Sequence, residues 1–220
     1  MRIKGKNAKN DIKEAAITLF KEKGFENVMI SDICERAGCT PSTFYYHFKS
    51  MDGFRMSLWD VDSRFTMDVL VSILSLPSAW EKLWAVHSRY VQEALSYGPV
   101  LYSYMTTPAS TQGRDVMLEN MGKINDLIAP FVKEGQESGE IRNSTATEDL
   151  VHTVGQTMSG VLREWSLREG NYDVEREMRR SLEVLYDLRT DLRQASTVKN
   201  RKNQAAPDVD NPGDNQATVL

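Results

Sequence analysis

The chain has 220 residues, of which 40% are hydrophobic and 26% charged, with a formal net charge of −4. This composition is ordinary for a globular protein in water, and no apolar run approaches the roughly 18–20 residues of a membrane-spanning helix. The basic amino terminus has no apolar segment behind it, so it is not a secretory signal, and we expect a cytoplasmic protein without a membrane partner. The two cysteines are too few for a structural zinc site, and we expect neither a metal nor a cofactor.

The charge is distributed unevenly along the chain. Residues 1–50 carry nine Lys/Arg against six Asp/Glu, a net charge of +3, whereas residues 51–220 carry 18 against 25, a net charge of −7. A basic unit at one end of an acidic body is typical of a surface that attracts a polyanion there. A merely solvated basic terminus explains the same numbers, so the charge alone does not distinguish a polyanion-binding surface from a solvated one.

Helical periodicity begins near the amino terminus and continues through most of the chain. Apolar residues at spacings of three and four predict a first helix that begins near Asn10 or Asp11 and ends before Gly24. A second helix of about two turns, around Ile33, ends at Gly38, a residue suited to the left-handed conformation of a sharp turn.

The third predicted helix is short and rich in aromatic residues. Thr40 suits an N-cap and Pro41 a first helical position, so we expect a helix from Pro41 to about Phe48. Because successive residues of an α-helix are rotated by about 100°, Phe44 and Phe48 share one face. They are expected to anchor the third helix on the first two helices. Three short helices with a sharp turn between the second and third indicate a helix-turn-helix.

The outer face of this third helix carries small hydroxyls and rings. Its members are Ser42, Thr43, Tyr45 and Tyr46. Such groups suit a groove of DNA, where they reach phosphates and base edges. The alternative is that Tyr45 and Tyr46 pack against the fourth helix or a neighbouring domain.

Ser50 is expected to cap a fourth helix that continues to residue 75, and further amphipathic helices follow Pro77. No strand pattern competes, which predicts an all-α fold: a helix-turn-helix domain over 1–50 and a helical effector-binding and dimerisation domain over 51–194. Residues 195–220 have little apolar content and are expected to be disordered.

The segment "AAITLFKEKGFENVMISDICERAGCTPSTFYYHFKSMDGF" (15–54) resembles the DNA-binding domain of the TetR family of bacterial transcriptional regulators. The matching motifs are AxxLFxxxGF, DIxxRAG and STFYYHFKS, followed by the acid and apolar residue at Asp52 and Phe54. The rest of the chain matches the family only in its helical layout.

The resemblance implies that the third helix enters the major groove of a double-stranded DNA operator in the nucleoid. The implied contacts lie at Thr40, Ser42, Thr43, Tyr45, Tyr46, His47 and Lys49. Tyr45 and Tyr46 would lie nearest the base edges, and His47 and Lys49 nearer the phosphates.

The chain departs from the family pattern in two places, at the start of the second helix and at the start of the fourth. Members usually have Thr or Ser at the start of the second helix, where this chain has Val28 and Met29, and many have Lys in place of Met51. The second helix must then be capped by Asn27 or by no side chain, and an absent cap costs about 1 kcal/mol.

A basic arm precedes the first helix and offsets these losses if it reaches the DNA backbone or minor groove. Its residues are Arg2, Lys4, Lys6 and Lys9. If the arm contacts DNA, deletion of residues 1–8 should flatten the slope of log affinity against log salt. An unchanged slope would contradict the hypothesis.

The family pairs its last two long helices, here about 146–169 and 173–194, with those of a second subunit, which implies a homodimer. Small residues at Thr157 and Gly160 would allow close approach, and the apolar surface of the two helices is wider than one face needs. It includes Val154, Val161, Leu182 and Leu185. A monomer that buries both faces internally is the alternative. A dimer presents two third helices about 34–36 Å apart, so the operator should be near-palindromic.

The carboxy-terminal domain is rich in aromatic residues and methionine, which suits an unknown small apolar or aromatic effector. The candidate effector-binding residues are Trp84, His87, Tyr102, Met105, Met121, His152 and Trp165. For any one of them a place in the core is the stronger interpretation, and for His87 and His152 it is a satisfied core histidine. Effector binding is expected to shift the population towards a state with the wrong separation of third helices, with the fourth helix as the lever. Repression is the commoner mode of action in the family, but the sequence does not distinguish a repressor from an activator.

Two other classes of protein remain open at this stage. A helix-turn-helix protein controlled by a protein partner, or not ligand-gated, would share every amino-terminal feature but lack an internal pocket. An enzyme in the carboxy-terminal bundle would need inward-facing acids, histidines or a nucleophile, such as an ExxH pair, and no such pattern follows residue 77. We therefore expect a regulator and not an enzyme.

Overall fold

The computed structural model describes residues 8–58, 61–107 and 110–193. Within these residues the protein is helical, and its only β pairing is one antiparallel bridge between Ile141 and Leu188, which confirms the predicted all-α fold. The α-helices are α1 (Ala8–Lys23), α2 (Ile30–Ala37), α3 (Pro41–Phe48), α4 (Met51–Ser57), α5 (Val61–Arg64), α6 (Met67–Leu74), α7 (Ala79–Tyr97), α8 (Pro99–Met105), α9 (Thr111–Ser138), α10 (Thr147–Leu167) and α11 (Val174–Leu185). The predicted tail and most of the predicted basic arm lie outside the described residues.

The first three helices form the predicted helix-turn-helix around a compact aromatic core. Phe44 and Phe48 of α3 are buried, and their rings lie 5.3 Å apart between centroids. Both also contact Phe54 of α4, at 5.3 Å and 4.8 Å between centroids. The same core takes in Leu101 and Met105 of α8, so the helix-turn-helix packs directly on the rest of the protein.

The N-cap of α2 is Met29, whose side chain makes no capping hydrogen bond, so the expected loss of a side-chain cap is confirmed and the alternative of a cap by Asn27 is wrong. The side chain of Asn27 donates to the carbonyl oxygen of Lys23 at 2.9 Å and so caps the end of α1. At the start of α2 the backbone N–H of Met29 donates to the carboxylate of Asp32, also at 2.9 Å. A residue of the first turn therefore closes the cap, as the acidic member of a capping box does.

The predicted continuous fourth helix, over 51–75, is wrong, because three shorter helices, α4, α5 and α6, take its place. The backbone of Thr66 is extended, with φ −63° and ψ 162°, and helical hydrogen bonding restarts there with Leu70 N donating to Thr66 O at 2.9 Å. Neither glycine nor proline marks this break, so the periodicity could not show it.

The carboxy-terminal helices enclose a second core, in which α7 packs against α9 and α11, and α10 packs against α8, α9 and α11. The last helix ends at Leu185, earlier than the predicted residue 194. Asp187 then adopts φ 43°, and Leu188 turns back to pair with Ile141. No helix in the described ranges is both long enough and apolar enough to cross a bilayer.

Candidate functional site

The outer face of α3 is open to solvent. Tyr46 is 83% exposed and Tyr45 48% exposed, while His47 is half-buried and meets the Tyr46 ring edge-on at 5.1 Å between centroids. The neighbouring polar side chains are also accessible, with Thr40, Ser42 and Lys49 exposed and Thr43 half-buried. The structure thus brings all seven predicted DNA-contacting residues to one short helix and its ends.

The first turn of α3 is fixed by its own cap. Thr40 Oγ1 accepts a hydrogen bond from the backbone N–H of Thr43 at 3.2 Å, and the two hydroxyls lie 3.0 Å apart. These hydrogen bonds hold the hydroxyls of Thr40 and Thr43 in place. The side chains of Thr40 and Ser42 remain exposed to solvent. Backbone N–H groups at a helix start and side-chain hydroxyls are common partners of DNA phosphates.

The other end of α3 is joined to α4 by only two residues. Lys49 has φ 60°, and Ser50 caps α4 by accepting from the backbone N–H of Gly53 at 2.9 Å. Because the link is short and capped, any displacement of α4 displaces α3. Met51, where relatives often have lysine, is half-buried against the amino-terminal core, whereas Met29 at the start of α2 is 65% exposed.

A cavity of about 150 Å³ lies among the carboxy-terminal helices, next to α4 and α5. Since an enclosed water needs about 10–15 Å³, there is room for on the order of ten water molecules. The lining residues are Met56, Val61, Tyr90, Tyr102, Met105, Thr106, Met117, Asn120, Met121, Ile124, Asn125, Gly155, Met158, Ser159 and Leu162. Five of the ten methionines of the chain therefore surround one space.

Three of the seven predicted effector-binding residues, Tyr102, Met105 and Met121, line this cavity. Trp165 does not line it, but its ring packs edge-on against Tyr102 at 6.0 Å between centroids. The sequence pattern missed most of the wall, including Met56 from the amino-terminal side. The one available signal was the abundance of methionine, which does not show which residues share a cavity.

The other three predicted residues lie away from the cavity. Trp84 is covered by the guanidinium of Arg179, 5.0 Å from its ring centroid. His87 is fully buried with its Nε2 3.2 Å from the Tyr186 hydroxyl, and this burial lowers the pKa of His87 to about 3. His152 is exposed on α10. Its ring lies 3.0 Å from the side-chain amide of Gln156.

The cavity wall is apolar with a few uncharged polar groups. Among its described lining residues none carries a formal charge, and Asn120, Asn125, Thr106 and Ser159 offer hydrogen bonds. Burial raises the pKa of Tyr90 to about 12, so its phenol is neutral. Behind Tyr90 lies the guanidinium of Arg64, 4.3 Å from the ring centroid. Arg64 forms an ion pair with Glu93, and both side chains are largely buried.

The cavity and α3 are connected through α4. Met56 of α4 lines the cavity, and Asp52, one turn earlier, accepts a hydrogen bond from the Ser110 hydroxyl at the start of α9. Arg55 donates both to Asp52 and, at 2.6 Å, to the carbonyl oxygen of Thr107. Through Met56, the helix that follows α3 therefore contributes directly to the cavity wall.

An exposed third helix in a helix-turn-helix, attached to a helical domain with an apolar cavity, defines the class of ligand-responsive DNA-binding regulators. Residues 12–55 match the family model described as "Bacterial regulatory proteins, tetR family". The motifs that resemble the TetR family of bacterial transcriptional regulators lie within this matched segment, so the amino-terminal domain is similar to that of TetR-type regulators, as the sequence predicted.

The similarity to known proteins extends through the helical domain. The fatty acid metabolism regulator protein of Bacillus subtilis is 25% identical over 180 residues, which cover 78% of this chain and 90% of the relative. The crystal structure of Bacillus subtilis FadR in complex with stearoyl-CoA has a TM-score of 0.65 at 22% identity, over 80% of this chain and 97% of that one. Thermus thermophilus FadR in complex with lauroyl-CoA has a TM-score of 0.61 at 19% identity, over 80% and 92%. At these identities the two solved structures establish the shared fold.

Proposed function

We propose that this protein is a dimeric transcriptional repressor of the cytoplasmic nucleoid that an acyl thioester releases from a near-palindromic operator. The observation that carries the proposal is the methionine-lined cavity beside α4. Methionine is flexible and polarizable, so a methionine-rich wall adapts to long apolar chains of variable shape. The relatives described above add support, since two of the similar structures hold acyl-CoA molecules.

The uncharged wall favours a thioester over a free fatty acid. A carboxylate inside this cavity would lack a cationic partner among the described lining residues, and burying an unpaired charge is costly. The guanidinium of Arg64, which lies behind the lining residue Tyr90, already pairs with Glu93. A thioester is neutral, and its carbonyl oxygen requires only a hydrogen-bond donor such as the amide of Asn120 or Asn125. The charged nucleotide part of a coenzyme A ester would stay outside.

The DNA-binding half of the proposal rests on the exposed polar and aromatic face of α3. We propose base contacts by Tyr45 and Tyr46 and phosphate contacts by His47 and Lys49, with the hydroxyls of the first turn also near phosphates. The proposed DNA-contacting residues are Thr40, Ser42, Thr43, Tyr45, Tyr46, His47 and Lys49. No enzymatic step is part of this function.

The dimer interface is proposed on α10 and α11, with a smaller apolar surface than the sequence suggested. Val154 and Leu182 are fully buried in the protomer's own core. Val184 of α11 is 68% exposed and Leu167 of α10 is also exposed, and a Cβ at Gly160 would meet open space. This face still permits the close approach of a second copy.

Sequencing of the DNA retained by the purified protein, followed by binding titrations on that duplex, tests the function. We expect stearoyl-CoA or lauroyl-CoA to lower operator affinity and to raise the midpoint of thermal unfolding, as a ligand of the folded state does. Free stearate and coenzyme A serve as matched controls for the two halves of the ligand. Thermal stabilisation by an acyl-CoA without any change in operator affinity would contradict the proposed mechanism.

The dimer has its own test. Val184→Asp should dissociate the dimer in sedimentation velocity experiments, because it places a charge in the proposed interface. Val71→Asp on α6, where Val71 is 58% exposed, is the matched control and should leave the oligomeric state unchanged. Equal behaviour of the two variants would place the interface elsewhere.

A further inference from the structure

The two cysteines of the chain meet at the turn of the helix-turn-helix. The backbone N–H of Cys39 donates to the carbonyl oxygen of Cys34 at 2.9 Å, and that of Gly38 donates to Glu35 at 3.2 Å. Gly38 is left-handed, with φ 63° and ψ 33°. This pattern is the Schellman motif, in which the side chains at the two ends of the longer hydrogen bond contact each other. At both of those positions this chain has cysteine.

The backbone geometry is compatible with a disulfide. With standard bond lengths, the 2.9 Å contact from Cys39 N to Cys34 O limits the separation of the two α-carbons to about 7 Å. Disulfides usually span about 4.4–6.8 Å between α-carbons. Burial raises the pKa of the Cys34 thiol to about 11, and a hydrogen bond with Cys39 contributes in the same direction.

The two thiols differ in their access to solvent. Cys34 is buried in the core shared by α1, α2 and α3, whereas Cys39 is only partly buried. Cys39 also directly precedes Thr40, the N-cap of α3. Since the chain has no third cysteine, each thiol has only the other as an intramolecular partner.

We propose that Cys34 and Cys39 form a reversible dithiol–disulfide pair that controls DNA binding in response to a hydroperoxide. The Cys39 thiolate attacks the peroxide O–O bond, takes one oxygen as a sulfenic acid and releases water or an alcohol. The Cys34 sulfur then attacks the Cys39 sulfur, the S–S bond forms, and the hydroxyl leaves as water with the Cys34 proton. Two thiols are oxidised and one hydroperoxide is reduced; a cellular dithiol reverses the change.

The disulfide would alter the position of α3. Two thiol sulfurs in contact must approach to about 2.05 Å to form the bond. Cys34 is held in the core, so Cys39 has to move towards it and carry Thr40 along. The cap of α3 and its first turn then shift relative to α2, while the phenylalanine anchor at the other side of the helix stays. We expect oxidation to lower operator affinity by tenfold or more.

The test uses the full-length protein, without effector, treated with hydrogen peroxide or with diamide. We expect a mass loss of two hydrogen atoms, a peptide linking Cys34 to Cys39, and weaker binding to the duplex retained by the purified protein, all reversed by dithiothreitol. Cys39→Ser and Cys34→Ala should keep their affinity under the same oxidants. Each variant removes one of the two thiols, so that no intramolecular disulfide can form. Cys39→Ser does so without changing a residue of the buried core.

Three results would overturn the inference. One is the absence of an intramolecular disulfide under excess diamide; a second is full disulfide formation with unchanged operator affinity. An oxidant-induced loss of binding in Cys39→Ser equal to that in the wild type would also overturn it. The inference rests on α3 as the DNA-binding helix but not on the acyl effector, so failure of acyl-CoA to release DNA leaves this test intact.

Discussion

Asp52 in the first turn of α4 accepts a hydrogen bond from Ser110, the residue that caps α9. The Ser110 hydroxyl in turn accepts from the backbone N–H of Gly113 at 3.0 Å. One carboxylate thereby ties the start of a 28-residue helix, whose middle lines the cavity, to the helix that follows α3. If the effector moves α9, this contact is where α4 receives the movement.

Ser110→Ala should weaken the response to the effector. The substitution removes both the link to Asp52 and the cap of α9, and loss of a cap costs about 1 kcal/mol of stability. We expect the ratio of operator Kd with and without stearoyl-CoA to fall several-fold, since allosteric coupling is typically about 1–3 kcal/mol. Fluorescence anisotropy on the operator duplex measures this ratio.

Ser78→Ala is the matched control for Ser110→Ala. Ser78 caps α7 in the same way, by accepting from the backbone N–H of Glu81 at 3.1 Å. Its loss should cost similar stability and leave the effector response unchanged. If both variants lose the response equally, general destabilisation and not the Asp52 contact explains it.

Gly113→Ala should destabilise the protein, because α4 approaches α9 too closely for a side chain there. A Cβ at Gly113 would lie 2.3 Å from Asp52 Oδ2 and 3.2 Å from Met56 Cγ. Overpacking of this kind costs about 1–3 kcal/mol. Urea denaturation gives the free energy of unfolding.

Gly122→Ala in the same helix separates this clash from the general effect of alanine. A Cβ at Gly122 would meet no atom within 4 Å, so the substitution should stabilise the protein by about 0.5–1 kcal/mol through lower backbone entropy of the unfolded chain. Stabilisation by both substitutions would show that α4 and α9 are not in close contact.

The short helix α3 could be predicted in detail because its determinants are local. Thr40 and Pro41 fix its start, and the spacing of Phe44 and Phe48 fixes its buried face. The cavity could not be predicted, because its wall is formed by residues that are far apart in the sequence, such as Met56 and Met158. Periodicity shows that a residue faces inward but not which neighbour it faces.

The α7 helix illustrates this limit. Trp84 and His87 do face inward, but towards α11, where they meet Arg179 and Tyr186. Tyr90, one turn further along, lines the cavity instead. The choice between two inward directions depends on the packing of three helices, and a single apolar stripe does not encode it.

Tyr46→Ala should weaken operator binding without loss of stability. The ring is 83% exposed, so its removal leaves the core unchanged, while a lost base contact costs about 1–3 kcal/mol, or roughly 5- to 150-fold in Kd. Tyr46→Phe distinguishes the contribution of the hydroxyl to operator affinity from that of the ring. Val100→Ala on α8, at a position equally exposed, should leave the affinity unchanged. Wild-type affinity in Tyr46→Ala would remove this residue from the proposed reading surface.

His87 should make the protein sensitive to acid. Burial lowers its pKa in the folded state to about 3, below the value of about 6.5 expected in the unfolded chain. Below pH 6.5 the unfolded state binds a proton that the folded state does not. Stability is therefore lost as the pH falls from about 6.5 towards 3, at up to about 1.4 kcal/mol per pH unit.

Replacement of His87, with replacement of His152 as the control, measures this contribution. His87→Gln should give a shallower fall of unfolding free energy between pH 6.5 and 4.5 in urea titrations, because one fewer proton is taken up on unfolding. His152→Gln, at an exposed position on α10, is the matched control and should follow the wild type. Parallel curves for the wild type and His87→Gln would show that His87 is protonated in the folded state as readily as in the unfolded chain, and that the buried contact with Tyr186 does not hold it neutral.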